Sequence, residues 1–281
     1  MNAVEVAKRA NEIFVLSDSF IRIKELIDDE RSTIDDIADV ILLDPALSAT
    51  VLKLANSSFF NYPGKIDTIS KAVLVLGITE VYNLVIAYFT TDAFKSIDAE
   101  VDFLEDFWER SVDCALLVKY IGCTLKIPNA ERLFILGLLH NIGELVVKQF
   151  MPEKVALCYG DNLDMLPWKK QQEVLGFTFA ECTAELLKLW QLPFTLIDPI
   201  RNQDQDDFSQ VSKESALLCF AKRVMISNSV YPKLGLEPLV SAEQKTQLSV
   251  ENDTINSAVS YCNMERLGVL AMLSPSTVTI Y

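Results

Sequence analysis

Histidine is nearly missing from this chain: His140 is the only one in 281 residues. Any Ser/His/Asp or Cys/His mechanism would have to run through it, and the nucleophile elbow G-x-S-x-G does not occur. Glycine is scarce as well, with 9 residues, and neither G-x-G-x-x-G nor G-x-x-x-x-G-K-[ST] is present. The usual phosphate-cradling loops are therefore excluded. The 6 cysteines, Cys114, Cys123, Cys158, Cys182, Cys219 and Cys262, include no C-x-x-C pair. Most sit in apolar helical patterns, and they are expected to be reduced core residues of a cytoplasmic protein. Basic residues are outnumbered 39 to 25, for a net charge of −14, and no Lys/Arg run exceeds two residues. Such a chain repels phosphate backbones and anionic lipid, so nucleic acid is not an expected partner.

No secretory signal is visible in MNAVEVAKRANEIF, which has neither a long apolar stretch nor a small-residue cleavage site. The most membrane-like window, AVLVLGITEVYNLVIAYF (72–89), holds Gly77, Glu80 and Asn83. A buried pair of helices accounts for it better than a membrane span.

What is present is helical periodicity. Half of the chain is hydrophobic, and Leu, Ile and Ala recur three and four apart with no convincing strand alternation. Thr33 followed by Asp36 predicts a capping box, and Asp44-Pro45 predicts an N-cap with a first-turn proline. A helix ending at Gly77 is followed by another. The pattern weakens over KSIDAEV (95–101), which marks a boundary between lobes. Later helices are expected near 102–122, over roughly 129–150, in three shorter stretches up to Trp190, from Leu192-Pro193, over 211–228 and after Ser241; LSPSTVTIY (273–281) is expected to be irregular. In the connector SSFFNYPGKID, the aromatics Phe59, Phe60 and Tyr62 are expected to fold back over the lobe junction rather than form a docking surface. Trp108, Trp168 and Trp190 read as core or lobe-interface residues. QDQDDF (203–208) reads as a solvated linker. The expected fold class is all-α with two lobes, residues 1–98 and 99–281.

Two stretches resemble the HDOD family, a bacterial signalling module related to the HD phosphohydrolases. The first is DIADVILLDPALSATVLKLANSSFFNYPGKIDTISKAVLVLGITEVYNLV (36–85), with its DPAL helix, LANS end, I-x-T-I-x-x-A link and LG turn. The second runs from FWERSVDCA (107–115) through GLLHNIGELVV (137–147) to EVLGFTFAECTAELLKLWQLP (173–193). The resemblance implies one HDOD module over roughly 14–205, with an HD-like helical bundle in the C-terminal lobe.

The resemblance also points to the places where HD relatives carry metal ligands. After FW-x, where relatives commonly have a histidine, stands Arg110; in place of the HD pair stands His140-Asn141. The family's H-A-E becomes Phe179-Ala180-Glu181, and its later histidine pair becomes Asn202-Gln203. A guanidinium repels a metal, an amide offers a neutral oxygen and a phenyl ring offers no donor. The residues thus imply a vestigial site with no metal, no cofactor and no catalytic residue, in which His140 is a partly buried core histidine hydrogen-bonded to a neighbour. A carboxylate-only Mg²⁺ site built from Asp113, Glu144, Glu181 and Glu185 is the sharper competitor.

The expected function is a non-catalytic, cytoplasmic signal-transduction module acting through contacts with separate protein partners. One alternative is a metal-dependent HD-type phosphohydrolase acting on a nucleotide or phosphoester. Another is an anionic-ligand sensor in which Arg110 grips a phosphate or carboxylate.

Overall fold

A computed structural model describes residues 1–29, 31–56, 64–127, 130–159, 165–230 and 239–273. The described residues contain no strand, as the all-α reading requires. Phe59, Phe60 and Tyr62 lie outside them, as does LSPSTVTIY beyond its first residue.

Local chemistry sets the early helices. Helix α1 (Ala3–Ile13) opens with a capping box from Asn2 and Glu5, and α2 (Asp18–Asp28) is capped by Ser17. Helix α3 (Ile34–Leu42) has the predicted Thr33–Asp36 box. In α4 (Pro45–Ala55), Asp44 Oδ1 accepts from the amides of Ala46 and Leu47, and Pro45 fills the first turn. Helix α5 (Ile69–Leu76) stops at Gly77, whose φ of +91° favours glycine, and α6 (Ile78–Ala93) sets off at 120° to it. The window 72–89 is therefore a bent helix pair.

The later helices are α7 (Val101–Thr124), α8 (Ala130–Leu139), α9 (Ile142–Phe150), α10 (Pro152–Cys158) and α11 (Pro167–Leu175). They continue with α12 (Phe179–Leu189), α13 (Phe194–Arg201), α14 (Lys213–Met225), α15 (Ala242–Leu248) and α16 (Asn252–Leu273). Helix α14 runs on into a π-helical turn, Ile226–Val230. One segment, Arg132–Phe150, is long and apolar enough to cross a membrane, but 78% of its apolar window is buried within the protein.

Two compact units emerge: Met1–Phe14 with Ser96–Leu267, and Val15–Lys95 with the stretch from Gly268. The expected lobe of residues 1–98 thus differs at its start. Helix α1 packs on α12 and α9, burying Val6, Ala7 and Ala10, while the indole of Trp190 donates to the carbonyl of Phe14 at 3.2 Å. The first unit is built on α7, against which α8 and α14 pack, with α12 lying on α9 and α13. Trp108, Trp168 and Trp190 are all buried in it. In the second unit α2 and α3 pack together, α5 lies on α3 and α6, and α4 contacts α3, α5 and α6.

Two expectations are corrected. The single helix over 129–150 is broken at His140-Asn141. The amide of Gly143 donates to Thr183 Oγ1 at 2.7 Å and the amide of Glu144 to the carbonyl of Asn141 at 2.8 Å, so a new helix starts there. Nor is 203–208 a free linker, although Gln205, Asp206 and Asp207 are exposed. Gln203 and Phe208 are buried, Asp204 pairs with Lys222 at 2.5 Å, and Asp206 pairs with the buried Arg223 at 3.0 Å. Among the cysteines, Cys114, Cys158, Cys182, Cys219 and Cys262 are buried thiols outside any disulfide, whereas Cys123 is exposed.

Candidate functional site

The break between α8 and α9 allows the site to form. Because the chain turns there, His140 and Asn141 face inward and Glu144 sits in the first turn of α9, opposite α7. A Cβ on Gly143 would lie 2.2 Å from the carbonyl oxygen of Phe179, so glycine lets α9 approach α12 closely.

Glu144 has no exposed side-chain surface. Its Oε1 accepts from Arg110 Nη2 at 2.9 Å, and its Oε2 accepts from the side-chain Nδ2 of Asn141. The Tyr159 ring lies 5.3 Å from the Arg110 guanidinium, within cation–π range, and its hydroxyl hydrogen-bonds Glu144 and Asn141. Burial alone would weaken the charge on Arg110. The fields of Glu144, Tyr159 and Asp106, with the hydrogen bond to Glu144, outweigh it and raise the pKa. Burial, then Glu144, push the Tyr159 hydroxyl well above its usual value, so it stays protonated.

His140 is 1% exposed. Its Nδ1 lies 2.6 Å from the carbonyl oxygen of Gly137 and must donate to it, which leaves Nε2 as the acceptor nitrogen. Burial first, then the charges of Lys222 and Arg110, bring its pKa down to about 3 despite the bond to Gly137. The ring is neutral at physiological pH. Its backbone carbonyl accepts from Gln203 Nε2 at 2.7 Å.

The positions picked out by the resemblance separate into those that meet and one that does not. Arg110 and Asn141 meet at Glu144, Gln203 holds the His140 carbonyl, and Arg110, His140 and Asn141 line one small cavity; Phe179 adjoins them with its ring 6.4 Å from that of Tyr159. Asn202 turns away, donating to the carbonyl and carboxylate oxygens of Asp198 at 3.0 Å. The four carboxylates of the Mg²⁺ alternative do not converge. Asp113 is gripped by Arg266, Glu181 caps α12, Glu185 pairs with Arg201 at 2.7 Å and Glu144 holds Arg110. Among the described residues no group of three or more His, Cys, Asp or Glu is arranged to hold a metal ion.

Sequence reasoning missed Tyr159, Lys222 and Arg266. Tyr159 lies between the quoted stretches, and Lys222 and Arg266 lie beyond the resembling region. No spacing signal pointed to any of them.

Two cavities adjoin this network. One, of about 670 Å³, is lined by α7, Tyr159, the π-helical turn and α16. The other, of about 20 Å³, lies beside His140 and Ser111.

An all-helical unit with a buried, internally charge-paired site is the class defined so far. Residues 13–206 match the HDOD domain family model, and the chain belongs to the HDOD domain family. A Treponema pallidum (strain Nichols) protein named "Uncharacterized protein" is 30% identical over 203 residues, which make up 71% of this chain and 39% of that one. The chain thus spans about two fifths of that relative's length. Among solved structures, a "Putative phosphohydrolase" from Shewanella amazonensis SB2B is similar with a TM-score of 0.71 and 24% identity, over 97% of this chain and 98% of that one. An "HDOD domain protein with unknown function" from Geobacter sulfurreducens gives a TM-score of 0.65 and 21% identity, over 99% and 98%. A "Putative signal transduction protein" from Marinobacter aquaeolei VT8 gives 0.68 and 22%, over 92% and 59%. At these identities the likeness is one of fold.

Proposed function

We propose that this chain is a non-catalytic HDOD module of bacterial signal transduction, acting in the cytoplasm by contacting separate protein partners. The observation that carries the reading is the Arg110–Glu144 pair at 2.9 Å. A divalent ion bound at the Glu144 carboxylate would lie against a permanent cation. At about 4 Å and an effective dielectric near 20, each pair of like unit charges costs on the order of 4 kcal/mol. The neighbouring donors fit an ion no better. Asn141 offers a neutral amide already engaged with Glu144, Phe179 offers no lone pair, and His140 alone does not make a multi-imidazole site. These residues do not fit the metal that HD hydrolysis requires.

The buried thiols fit a reducing compartment, and the net charge of −14 disfavours nucleic acid. The function that remains is recognition. Elemental analysis of the chain purified without added metals, combined with turnover of bis(p-nitrophenyl) phosphate in Mn²⁺, Fe²⁺ or Mg²⁺, tests the reading. Substoichiometric metal and no turnover are expected. Stoichiometric metal with turnover abolished in His140→Ala would establish the phosphohydrolase instead.

A further inference from the structure

Most helices of the larger unit are packed by apolar faces: α8 and α14 lie directly on α7, and α12 lies on α9 and α13. Helix α16 is attached differently. Its inward line begins apolar, with Ile255, Ala258 and Cys262 buried at spacings of three and four residues. The next residue on that line is Arg266, so the seam ends in a cation where a hydrophobic residue would continue it. All three guanidinium nitrogens are engaged. Nε donates to Asp113 Oδ1 at 2.6 Å and Nη2 to Asp113 Oδ2 at 2.7 Å, while Nη1 pairs with Glu109 Oε1 at 3.0 Å. Asp113 is buried and Glu109 is half-exposed. The other links to α7 include the Tyr261 ring, 5.2 Å from that of Tyr120, and the Cys262 thiol, which donates to the carbonyl of Asp113 at 3.8 Å.

Beside this clasp the helix borders a void. The 670 Å³ cavity is walled by Val259, Asn263 and Arg266 of α16, facing Asp106 and Asp113 of α7 and the π-helical turn. Close-packed interiors hold few voids larger than a water molecule, so this side of α16 gains little from packing. Its outer side adds no anchorage, because Met264 and Leu267 are mostly in solvent. At its start α16 is joined to α15 through Ser249, whose φ of +56° lies in the left-handed region that favours glycine. Only Val250 and Glu251 separate that residue from the helix. Sparse packing beside a strained connector marks a segment that opens before the rest of a domain does.

We infer that α16 is a strap, closed over the cavity by the Arg266 clasp and able to lift from α7 while the rest of the unit stays folded. Opening uncovers Ile255, Ala258 and Cys262 and removes one wall of the cavity. The clasp therefore sets how often the cavity is reached.

Labelling with N-ethylmaleimide, followed peptide by peptide by mass spectrometry on the folded full chain, tests this. The probe is Ala258→Cys, at a position that is fully buried and stands off the cavity wall. Ile255→Cys, also buried and off that wall, gives a second probe that adds no volume. The introduced thiol and Cys262 should react together, about ten-fold or more faster than Cys114 of α7 and Cys219 of α14, which are buried in the body of the unit. Glu109→Gln removes the half-exposed arm of the clasp and should speed both strap thiols about two-fold. Arg266→Gln combined with Asp113→Asn removes the clasp without stranding a buried charge, and should speed them about ten-fold or more. Cys114 and Cys219 should not change in either variant. If all four thiols react at one rate, or accelerate together, α16 is part of the cooperative fold and the inference fails. It fails equally if Cys262 accelerates alone, since reagent then enters through the cavity past a fixed helix. No acceleration in either variant would mean that the Arg266 clasp holds nothing closed, which also overturns it.

Discussion

The two units differ in whether charge enters the interior; exposed pairs such as Lys170–Glu173 occur in the larger one as well. In Val15–Lys95 the ion pairs among the described residues include Lys24–Asp28, Arg31–Asp29, Lys71–Asp67 and Lys95–Asp92; in these four, partners lie within four residues of each other and reach solvent. Among the described residues there, the buried polar groups are few and uncharged: Thr50, Asn83, Thr90 and Thr91. In the other unit Arg110–Glu144, Lys222–Asp204 and Arg266–Asp113 join different elements, each with at least one buried partner. Exposed local pairs contribute little to stability, whereas a buried charge is tolerable only while its partner is present. Apolar packing and caps hold the first region. The second has spent stability on placing ions in its interior, and that is where a site is to be sought.

The sharpest break of this contrast removes one member of a buried pair. Arg110→Met leaves the Glu144 carboxylate buried without its cation and is expected to cost about 3 kcal/mol in denaturant unfolding. Adding Glu144→Gln removes the stranded charge and should recover most of the loss, because the Asn141 and Tyr159 contacts can persist. If single and double variants unfold at the same denaturant concentration, the pair does not dominate its surroundings and the contrast between units weakens.

A smaller effect comes from protons. His140 is the only imidazole in the chain, and Val15–Lys95 has none. Its native pKa of about 3 lies below the ordinary value of 6.5. Protons therefore bind the unfolded ring first, so its contribution is intact above pH 6.5 and is lost as pH falls towards the native value. Between pH 6.5 and about pH 5.5 the chain should lose about 1 kcal/mol. His140→Asn should be nearly flat over the same interval. An unchanged slope in the variant would mean that the proton uptake belongs to other groups.

How much of this was legible in the sequence follows from distance along the chain. The Thr33–Asp36 box, the Asp44 cap and the stop at Gly77 were readable because cap and helix lie within a few residues of each other. The break at His140-Asn141 was not, since it depends on Thr183 taking the amide of Gly143 from 40 residues away. Arg110 and His140 could be named as members of a changed site from local motifs. What Arg110 does there rests on Glu144, 34 residues on, and Arg266 meets Asp113 across 153 residues. Periodicity places side chains on a face, but it does not say which distant face will meet it. The loop 203–208 misled for the same reason: its composition is that of a linker, and Lys222 and Arg223 tie it to α14 through Asp204 and Asp206.

The mildest test is in the other unit. Lys24 and Asp28 are four apart on α2, with their charged atoms at 2.7 Å, and the aspartate side chain is mostly in water. Lys24→Ala should cost only a few tenths of a kcal/mol, and that small loss should fade as salt is raised. Arg110→Met measured in the same salt series should keep most of its loss, because a pair shielded from solvent is screened far less. A cost above about 1 kcal/mol for Lys24→Ala, well beyond the range for exposed pairs, would show that surface charge also stabilises this region. The division between an apolar unit and an ionic one would then not hold.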